Sequence, residues 1–241
     1  MKFLKVGICE SLIIDIMTDI KKFEGIHTGA DIYVIGSGKS LDFIDPVFFE
    51  NKITVGINQI YKKIRTDYIV RKDGGFIDDT VKRMDDKQVL FVSKGKYGRN
   101  NTANINHIQK KFPKNANIVV FDHETNKHSI TDLPGANKLV VSHSTITTGI
   151  HLAAHMGAKN IILIGHDCGL LDGESNFAGY HTANSVKLEW KNGFADYNRW
   201  LPKIEDATIA LKGLLKKKYG ANVYSLNPFI NFGLEGHKYS K

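Results

Sequence analysis

The fold is decided by one stretch of the chain, residues 138–167, with the sequence KLVVSHSTITTGIHLAAHMGAKNIILIGHD. It opens on a short apolar run, Leu139–Val141, and closes on a second one, Ile161–Ile164. Between them, residues 144–156 carry apolar side chains at helical spacing, and a serine precedes them as a candidate N-cap. The pattern predicts a strand, a helix and a second strand, the unit that connects parallel neighbours in a sheet.

Similar apolar runs recur on either side of this stretch and alternate with helical spacing. Runs that are apolar throughout are typical of strands buried on both faces of a parallel sheet. Helices are predicted over Leu12–Phe23 and around Ile204–Leu215, the latter ending before Gly220. Further strands are predicted at Ile32–Ile35, Ile53–Ile57, Tyr68–Val70, Val89–Val92, Ile118–Phe121 and Asn222–Leu226. We therefore expect an α/β fold with a doubly wound, mostly parallel Rossmann-like sheet, in a single domain over residues 1–241.

The segment 169–201 interrupts this alternation. It is rich in Gly, Asn, Tyr and Trp and shows no clear periodicity. Long irregular segments in compact domains are usually functional or disordered, and the aromatic side chains in this one oppose disorder. We expect an irregular lid or insertion next to the ligand site.

Composition limits the kinds of function. With 33 Lys and Arg against 25 Asp and Glu, the formal net charge is +8. The excess lies in small lysine clusters without interleaved aromatics, so specific nucleic-acid binding is not expected. The charge could still attract an anionic membrane surface or a phosphorylated ligand. Two cysteines and the lack of a long apolar run favour a reducing, cytoplasmic location.

Polar residues follow five of the predicted strands, at the edge where such sheets bind ligands. They are Gly36-Ser37-Gly38-Lys39-Ser40, the pair Asn58-Gln59, the sequence RKDGG that contains Asp73, Ser142-His143-Ser144-Thr145, and Gly165-His166-Asp167. Each one taken singly has a plain structural explanation as a helix cap or a turn. Together they favour a nucleotide-binding crevice.

The glycine loop after the first strand matches no complete phosphate-binding motif. A P-loop would need glycine where Tyr33 stands, and the dinucleotide fingerprint would need glycine in place of Leu41. What remains is a glycine turn whose backbone amides can approach a phosphate closely, or else an ordinary tight turn. The loop alone leaves both interpretations open.

Three blocks, VIGSGKSLD, GINQIY and STITTGIHLAAHMGAKNIILIGHD, resemble in order and character the bacterial CMP-sialic-acid sialyltransferases. They are equally similar to the related domain of flagellin motility accessory factors and to archaeal hydroxymethylpterin diphosphokinases. The matched blocks lie within residues 31–75 and 140–170. The resemblance implies a nucleotide held by the glycine loop, Asn58 and the start of the quoted helix. The nucleotide-binding residues that it implies are Gly36, Ser37, Gly38, Lys39, Ser40, Asn58, Ser144, Thr145, Thr147 and Gly165.

The resemblance also implies catalytic residues. Inverting sugar transfer needs a base for the acceptor hydroxyl and donors that stabilise the departing phosphate. His181 is the best match for the base and Asp167 lies close to the nucleotide, while His143 and His166 are rivals at strand ends. The sialyltransferases place phosphate-assisting tyrosines after this aspartate, where Cys168 and Gly169 stand in this chain. Tyr180 is a candidate substitute, and no metal-ligand spacing is present.

Three functions remain open at this point. The first is a glycosyltransferase that moves a sugar, such as a sialic or nonulosonic acid, from a nucleotide-activated donor (a CMP-sugar) to a glycan or other acceptor. The second is a pterin-type diphosphokinase, which would need ATP, Mg²⁺ and carboxylates such as Asp73 and Asp167. The third is a non-catalytic nucleotide-binding protein, because a fold does not determine a function. The favoured first function implies no cofactor beyond its donor.

Overall fold

The computed structural model describes residues 19–72, 74–95, 103–112, 117–125, 130–135, 138–180 and 194–226. Eight strands in these ranges form one sheet. They are β1 (Asp31–Ile35), β2 (Ile53–Ile57), β3 (Tyr68–Arg71), β4 (Val89–Ser93), β5 (Ile118–Thr125), β6 (Lys138–Val141), β7 (Asn160–Ile164) and β8 (Asn222–Ser225). Their spatial order is β6-β5-β4-β3-β2-β1-β7-β8, and every neighbouring pair is parallel. The predicted α/β fold is therefore confirmed, with a sheet that is parallel throughout.

Four α-helices accompany the sheet in the described ranges. They are α1 (Ile77–Arg83), α2 (Ala103–Lys111), α3 (Thr145–His155) and α4 (Phe194–Tyr219). The quoted stretch folds as predicted: Ser144 is the N-cap of α3, and its hydroxyl accepts from the amide of Ile146. No helix in the described part of the chain is both long and apolar enough to cross a bilayer.

Two element predictions need correction. The predicted helix over Leu12–Phe23 falls mostly outside the described residues, and its last part, Ile20–Phe23, forms a 3-10 turn. The irregular segment predicted over 169–201 ends too late, because α4 already begins at Phe194. Pro202 lies inside α4, and a proline there obscures the helical pattern at sequence level. Residues 181–193 lie outside the described residues.

Hydrophobic side chains cover both faces of the sheet, as the continuous apolar runs predict. On β1, Ile32 and Val34 join the core beneath α3 and α4, while Ile35 points into a separate cluster on the opposite face. The helix α3 lies very close to the strands at Gly149, where a Cβ would be 2.5 Å from Ile57 Cδ1. Only glycine allows this approach, so the position of α3 against the sheet is sterically fixed.

The sheet order reverses beside β1. The chain adds β2 to β6 successively on one side of β1 and then places β7 and β8 on its other side. Open α/β sheets bind ligands in the crevice at such a reversal, outside the carboxyl ends of the strands. The carboxyl ends of β1 and β7 are thus the expected centre of the site.

A buried histidine joins α3 to β6 and makes the fold sensitive to acid. Nδ1 of His151 accepts from the amide of Val140 at 3.1 Å, and its side chain is buried. Burial, with smaller effects of His155 and Lys218, lowers the pKa of His151 from 6.5 to about 3. Below pH 6.5 the unfolded chain binds a proton at this position that the folded chain does not, so acid destabilises the folded state.

We expect the free energy of unfolding to fall by up to about 1.4 kcal/mol per pH unit for this histidine as the pH drops below 6.5. The variant His151→Asn, whose carboxamide oxygen can still accept from Val140, should show a shallower decline in urea unfolding measured between pH 6.5 and 4.5. The change Ile209→Asn at an exposed position of α4 is the control, because it alters no titrating group, and it should leave the decline unchanged. An unaltered slope in His151→Asn would refute the prediction.

Candidate functional site

The loops after β1 and β7 are joined by backbone hydrogen bonds. The amide of Gly36 donates to the carbonyl of Ile164 at 2.8 Å, and the amide of Gly38 donates to the carbonyl of Gly165 at 2.7 Å. These bonds extend the strand pairing beyond the sheet, so the two loops form one unit at the order reversal. Gly36, Gly38 and Gly165, all predicted to bind a nucleotide, are thereby brought together.

The side chain of Asp167 adds a further contact between the two loops. Its two carboxylate oxygens accept from the amide of Ser40 at 2.8 Å and from the Ser40 hydroxyl at 2.5 Å. Both residues are buried. A buried carboxylate needs such donors because removing its charge from water is costly. We infer a positioning role for Asp167 from these contacts, and its predicted part in catalysis stays a prediction.

The glycines of the loop are explained by this close packing. A Cβ on Gly36 would lie 2.4 Å from the carbonyl oxygen of Gly165, and a Cβ on Gly38 would lie 2.4 Å from Asp167 Cγ. Neither neighbour is a flexible chain end. The sequence pattern suggested glycine for approach to a phosphate, and the structure shows that approach to the β7 loop already requires it.

The backbone amides of the glycine loop fall into two groups. Those of Gly36, Gly38 and Ser40 donate towards β7. The amides of Ser37 and Lys39 enter no hydrogen bond within the described ranges. Successive amides of this kind form anion-binding concavities in proteins. The loop can therefore offer two backbone donors to a ligand anion, fewer than its five residues suggest.

One side of the loop is covered by the beginning of the predicted lid. The Asn176 side-chain amide donates to the Ser37 hydroxyl at 2.8 Å, and the amide of Phe177 donates to the Ser37 carbonyl at 3.0 Å. The hydroxyl of Tyr180 donates to Gln59 Oε1 at 3.1 Å, and its side chain is buried. This part of the chain is thus a packed wall of the site, and the Tyr180 hydroxyl is bound to protein, which disfavours it as a phosphate-assisting group.

The carboxylate of Asp42, beside the glycine loop, forms salt bridges with two lysines. Asp42 accepts from Lys63 Nζ at 2.5 Å, from the amide of Ala178 at 3.0 Å, and from Lys39 Nζ at 3.0 Å. Burial raises its pKa, but the hydrogen bonds from Lys63, Ala178 and Lys39 outweigh this and hold the pKa below its usual value. Lys39, predicted to pair with phosphate, is therefore already paired with Asp42.

The start of α3 forms the opposite side of the crevice. Thr147 is fully buried, and its hydroxyl accepts from the amide of Ser142 at 3.0 Å and donates to the carbonyl of Ser144 at 2.8 Å. The hydroxyl of Thr147 therefore fixes the turn before α3, and its predicted nucleotide contact stays a prediction. Ser144 is half-buried and Thr145 is nearly buried, so the exposed donors at this end are few.

The first turn of α3 contains a polar group that the protein itself does not satisfy. The hydroxyl of Thr148 is buried and has no hydrogen-bond partner within the described residues. Buried polar groups are nearly always paired, so each exception suggests an absent ligand or water. A helix start also favours negative charge through its unpaired amides and its dipole.

Unusual backbone conformations cluster at the same edge of the sheet. Asn58 after β2, His143 after β6 and Cys168 after β7 have φ values of 56°, 55° and 47°. This left-handed region costs a residue other than glycine roughly 1–2 kcal/mol. Such strain concentrates at functional sites. Burial raises the pKa of Cys168 to about 12, with smaller effects of Glu205 and Asp167, so its thiol is not a nucleophile near neutral pH.

The two histidines that follow strands, His166 and His143, differ in burial and in their contacts. His166 is buried and its Nε2 lies 3.1 Å from the hydroxyl of Thr208 on α4. Burial lowers its pKa to about 4, so it is neutral at physiological pH. His143 is half-buried, and its ring centroid lies 5.4 Å from that of Trp200. The structure therefore shows different surroundings for the two rivals, and the identity of the base stays a prediction.

Two predicted site residues, His181 and Asp73, lie outside the described residues. Gln59, Asn176 and Trp200 are the site residues that sequence reasoning left without a role, since their partners come from distant parts of the chain. In the described part of the chain, no three His, Cys, Asp or Glu side chains are arranged to hold a metal ion.

No protein-family model matches the sequence, and no curated protein matches it. Solved structures share its fold. The sialyltransferase CstII from Campylobacter jejuni, in complex with cytidine-5'-monophosphate (CMP), gives a TM-score of 0.51 at 15% identity, covering 87% of this chain and 85% of that chain. Its complex with a trisaccharide acceptor and CMP also gives 0.51 at 15% identity, covering 86% and 85%. The likeness shows a common α/β fold over most of both chains.

The packing of Gly38 against Asp167 gives a prediction for the loop. Gly38→Ala should lower the free energy of unfolding by about 1–3 kcal/mol, the usual cost of an added methyl in a filled space. Gly75→Ala is the control, because a Cβ there meets nothing within 4 Å. In an Asp167→Ala background the cost of Gly38→Ala should shrink, as neighbouring residues couple in a double-mutant cycle. Strictly additive costs in urea unfolding would show that the contact is not the cause.

Proposed function

We propose that this chain is a glycosyltransferase that takes a sugar from a CMP-activated donor, of the sialic or nonulosonic acid type, and transfers it to a glycan acceptor. The observation that carries the proposal is the pair of donor groups across the β1–β7 crevice. On one side are the amides of Ser37 and Lys39, and on the other is the start of α3, whose Ile146 Cδ1 would lie 3.3 Å from a Cβ on Gly36. The common fold with a CMP-bound sialyltransferase supports the choice of nucleotide.

The two sides of the crevice are suited to bind the two negative charges of a CMP-activated donor. A CMP-activated sialic acid carries a phosphate and a carboxylate, so it presents two anions to the protein. Loop amides that form no internal hydrogen bond and a helix start can both bind anions, and neither needs a metal ion. In the reaction the phosphate leaves with an additional negative charge, which fixed amide donors stabilise without rearrangement.

Asn58 is the best candidate for contact with the nucleoside. It follows β2, next to the glycine loop, and its side chain is half-buried. Its backbone is held in a left-handed conformation by the hydrogen bond from its amide to the carbonyl of Val70 at 3.0 Å. The carboxamide forms no hydrogen bond within the described residues, so it can offer a donor and an acceptor to a ligand.

The diphosphokinase alternative finds less support in the described residues. Transfer from ATP with Mg²⁺ needs carboxylates that face the phosphates. Both oxygens of Asp167 are engaged by Ser40, and Asp42 is engaged by two lysines. A non-catalytic nucleotide-binding protein would use the same crevice and differs from the proposal only in lacking turnover.

A nucleotide panel in thermal unfolding distinguishes these functions. CMP at 100 times its Kd should stabilise the chain by about 2.7 kcal/mol, because a ligand that binds only the folded state shifts unfolding by mass action. Release of CMP from CMP-sialic acid should accompany binding. A larger shift with ATP and Mg²⁺ than with CMP would favour the diphosphokinase. CMP binding without any release would favour the non-catalytic protein.

Asn58→Gly tests the nucleoside contact without disturbing the backbone, because glycine adopts a positive φ without strain. We expect a fall in CMP affinity of about tenfold, equivalent to one lost hydrogen bond, with unfolding free energy unchanged or increased. Asn51→Gly is the matched control, since Asn51 also has a positive φ of 59° but is exposed and lies outside the crevice. Equal CMP affinities for the two variants in calorimetry would remove Asn58 from the site.

A further inference from the structure

We propose that Asp42 is an internal counterion that holds Lys39 beside the glycine loop until a ligand phosphate takes the place of its carboxylate. The proposal rests on the proposed function, because the phosphate is the one in the CMP part of the donor. Asp42 touches no substrate. It is a positioning residue, and it sets how strongly the site binds phosphate.

The cation and the two amides of the proposed phosphate site belong to the same short loop. The amides of Ser37 and Lys39 form no hydrogen bond within the described residues. The Lys39 side chain begins at the second of them, and its flexible four-carbon stem lets the ammonium reach an anion bound there. In the structure this ammonium instead lies 3.0 Å from a carboxylate oxygen of Asp42. The carboxylate therefore occupies the cation that a phosphate would use.

Asp42 can release Lys39 without being left as an isolated charge. The same carboxylate accepts from Lys63 Nζ at 2.5 Å and from the amide of Ala178 at 3.0 Å. Lys63 comes from the segment after β2, and its Nζ also lies 5.6 Å from the ring centroid of Phe177. Because these two donors remain, the move of Lys39 to a phosphate exchanges one ion pair for another and avoids the large cost of an unpaired charge.

The carboxylate of Asp167 is unsuited to such an exchange. Its two oxygens are bound by Ser40, and both residues are buried. The side chains of Lys39, Asp42 and Lys63 are 20%, 16% and 22% exposed, so a ligand can reach this second cluster. Burial raises the pKa of Asp42, and its hydrogen bonds lower it by more, so the carboxylate is ionised at neutral pH and binds the lysines as an anion.

The exchange determines the sign of the effect on affinity. A ligand phosphate has to compete with Asp42 for Lys39, so the carboxylate weakens phosphate binding in the parent chain. Loss of its charge should release Lys39 to the ligand and strengthen binding. If Asp42 served only to keep the loop in shape, its replacement would weaken binding instead.

Asp42→Asn tests this sign, because its carboxamide oxygen can still accept from the amide of Ala178 while the negative charge is lost. In calorimetry at low salt, the variant should bind CMP roughly 3–10-fold more tightly than the parent chain, the range expected for a partly exposed ion pair. Its affinity for cytidine, which lacks the phosphate, should equal that of the parent. The gain should shrink in about 1 M NaCl, where the screening length is about 3 Å.

Further variants show which groups cause the gain. Glu50→Gln removes one negative charge from an exposed position and should leave CMP affinity within about twofold. Lys39→Met should bind CMP more weakly than the parent chain. In the double variant Asp42→Asn with Lys39→Met the gain should be lost, because residues in one charge network couple. Melting temperatures close to that of the parent establish that each variant is folded.

The outcomes are distinct. Unchanged or weaker CMP binding by Asp42→Asn, or an equal change for CMP and cytidine, would overturn the exchange and leave the transferase proposal intact. A gain that persists in the double variant would also overturn it, since a group other than Lys39 would then be responsible. A parent chain that does not bind CMP would overturn the proposed function and this inference with it.

Discussion

The whole site depends on one buried interaction, the hydrogen bonding of the Asp167 carboxylate to the amide and hydroxyl of Ser40. The two residues are 127 positions apart, and they connect the loops that follow β1 and β7 through a side chain. Hydrogen bonds to a charged group are stronger than those between neutral groups, and an unpaired buried carboxylate would be costly. The carboxylate therefore fixes the glycine loop in a single conformation. In that conformation the amides of Ser37 and Lys39 form no hydrogen bond within the described residues.

Most of the fold could be predicted because each buried strand is a short, continuous apolar run in the sequence. A strand buried on both faces must be apolar throughout, so runs such as Ile53–Ile57 are visible in the sequence, and the predicted boundaries agree with the structure to within a few residues. The beginning of α4 could not be predicted in this way. The sequence there shows no clear apolar periodicity, and Pro202 lies inside the helix.

The candidate site was only partly predictable. The position of its residues at strand ends follows from the topology of parallel sheets, and the structure brings Gly36, Ser40 and Asp167 together at that edge. The role of each residue depends on partners that lie far away in the chain. Thr147 and His166 are polar residues next to the crevice, yet one fixes a turn and the other binds Thr208 on α4. Sequence spacing carries no information on such pairs, so it cannot separate ligand contacts from internal ones.

The placement of β1 between β2 and β7 has a consequence for synthesis of the chain. Strands β1 to β6 pair with their successors in sequence, so this half of the sheet can assemble as it leaves the ribosome. The other edge of β1 stays unpaired until β7 has been synthesised, because Asp31 and its partner Asn160 are 129 residues apart. At about 5–20 residues per second, that delay is roughly 6–26 s. During this interval an apolar central strand exposes unpaired backbone groups, so the nascent chain, rather than the finished protein, is the form most open to aggregation and most dependent on chaperones.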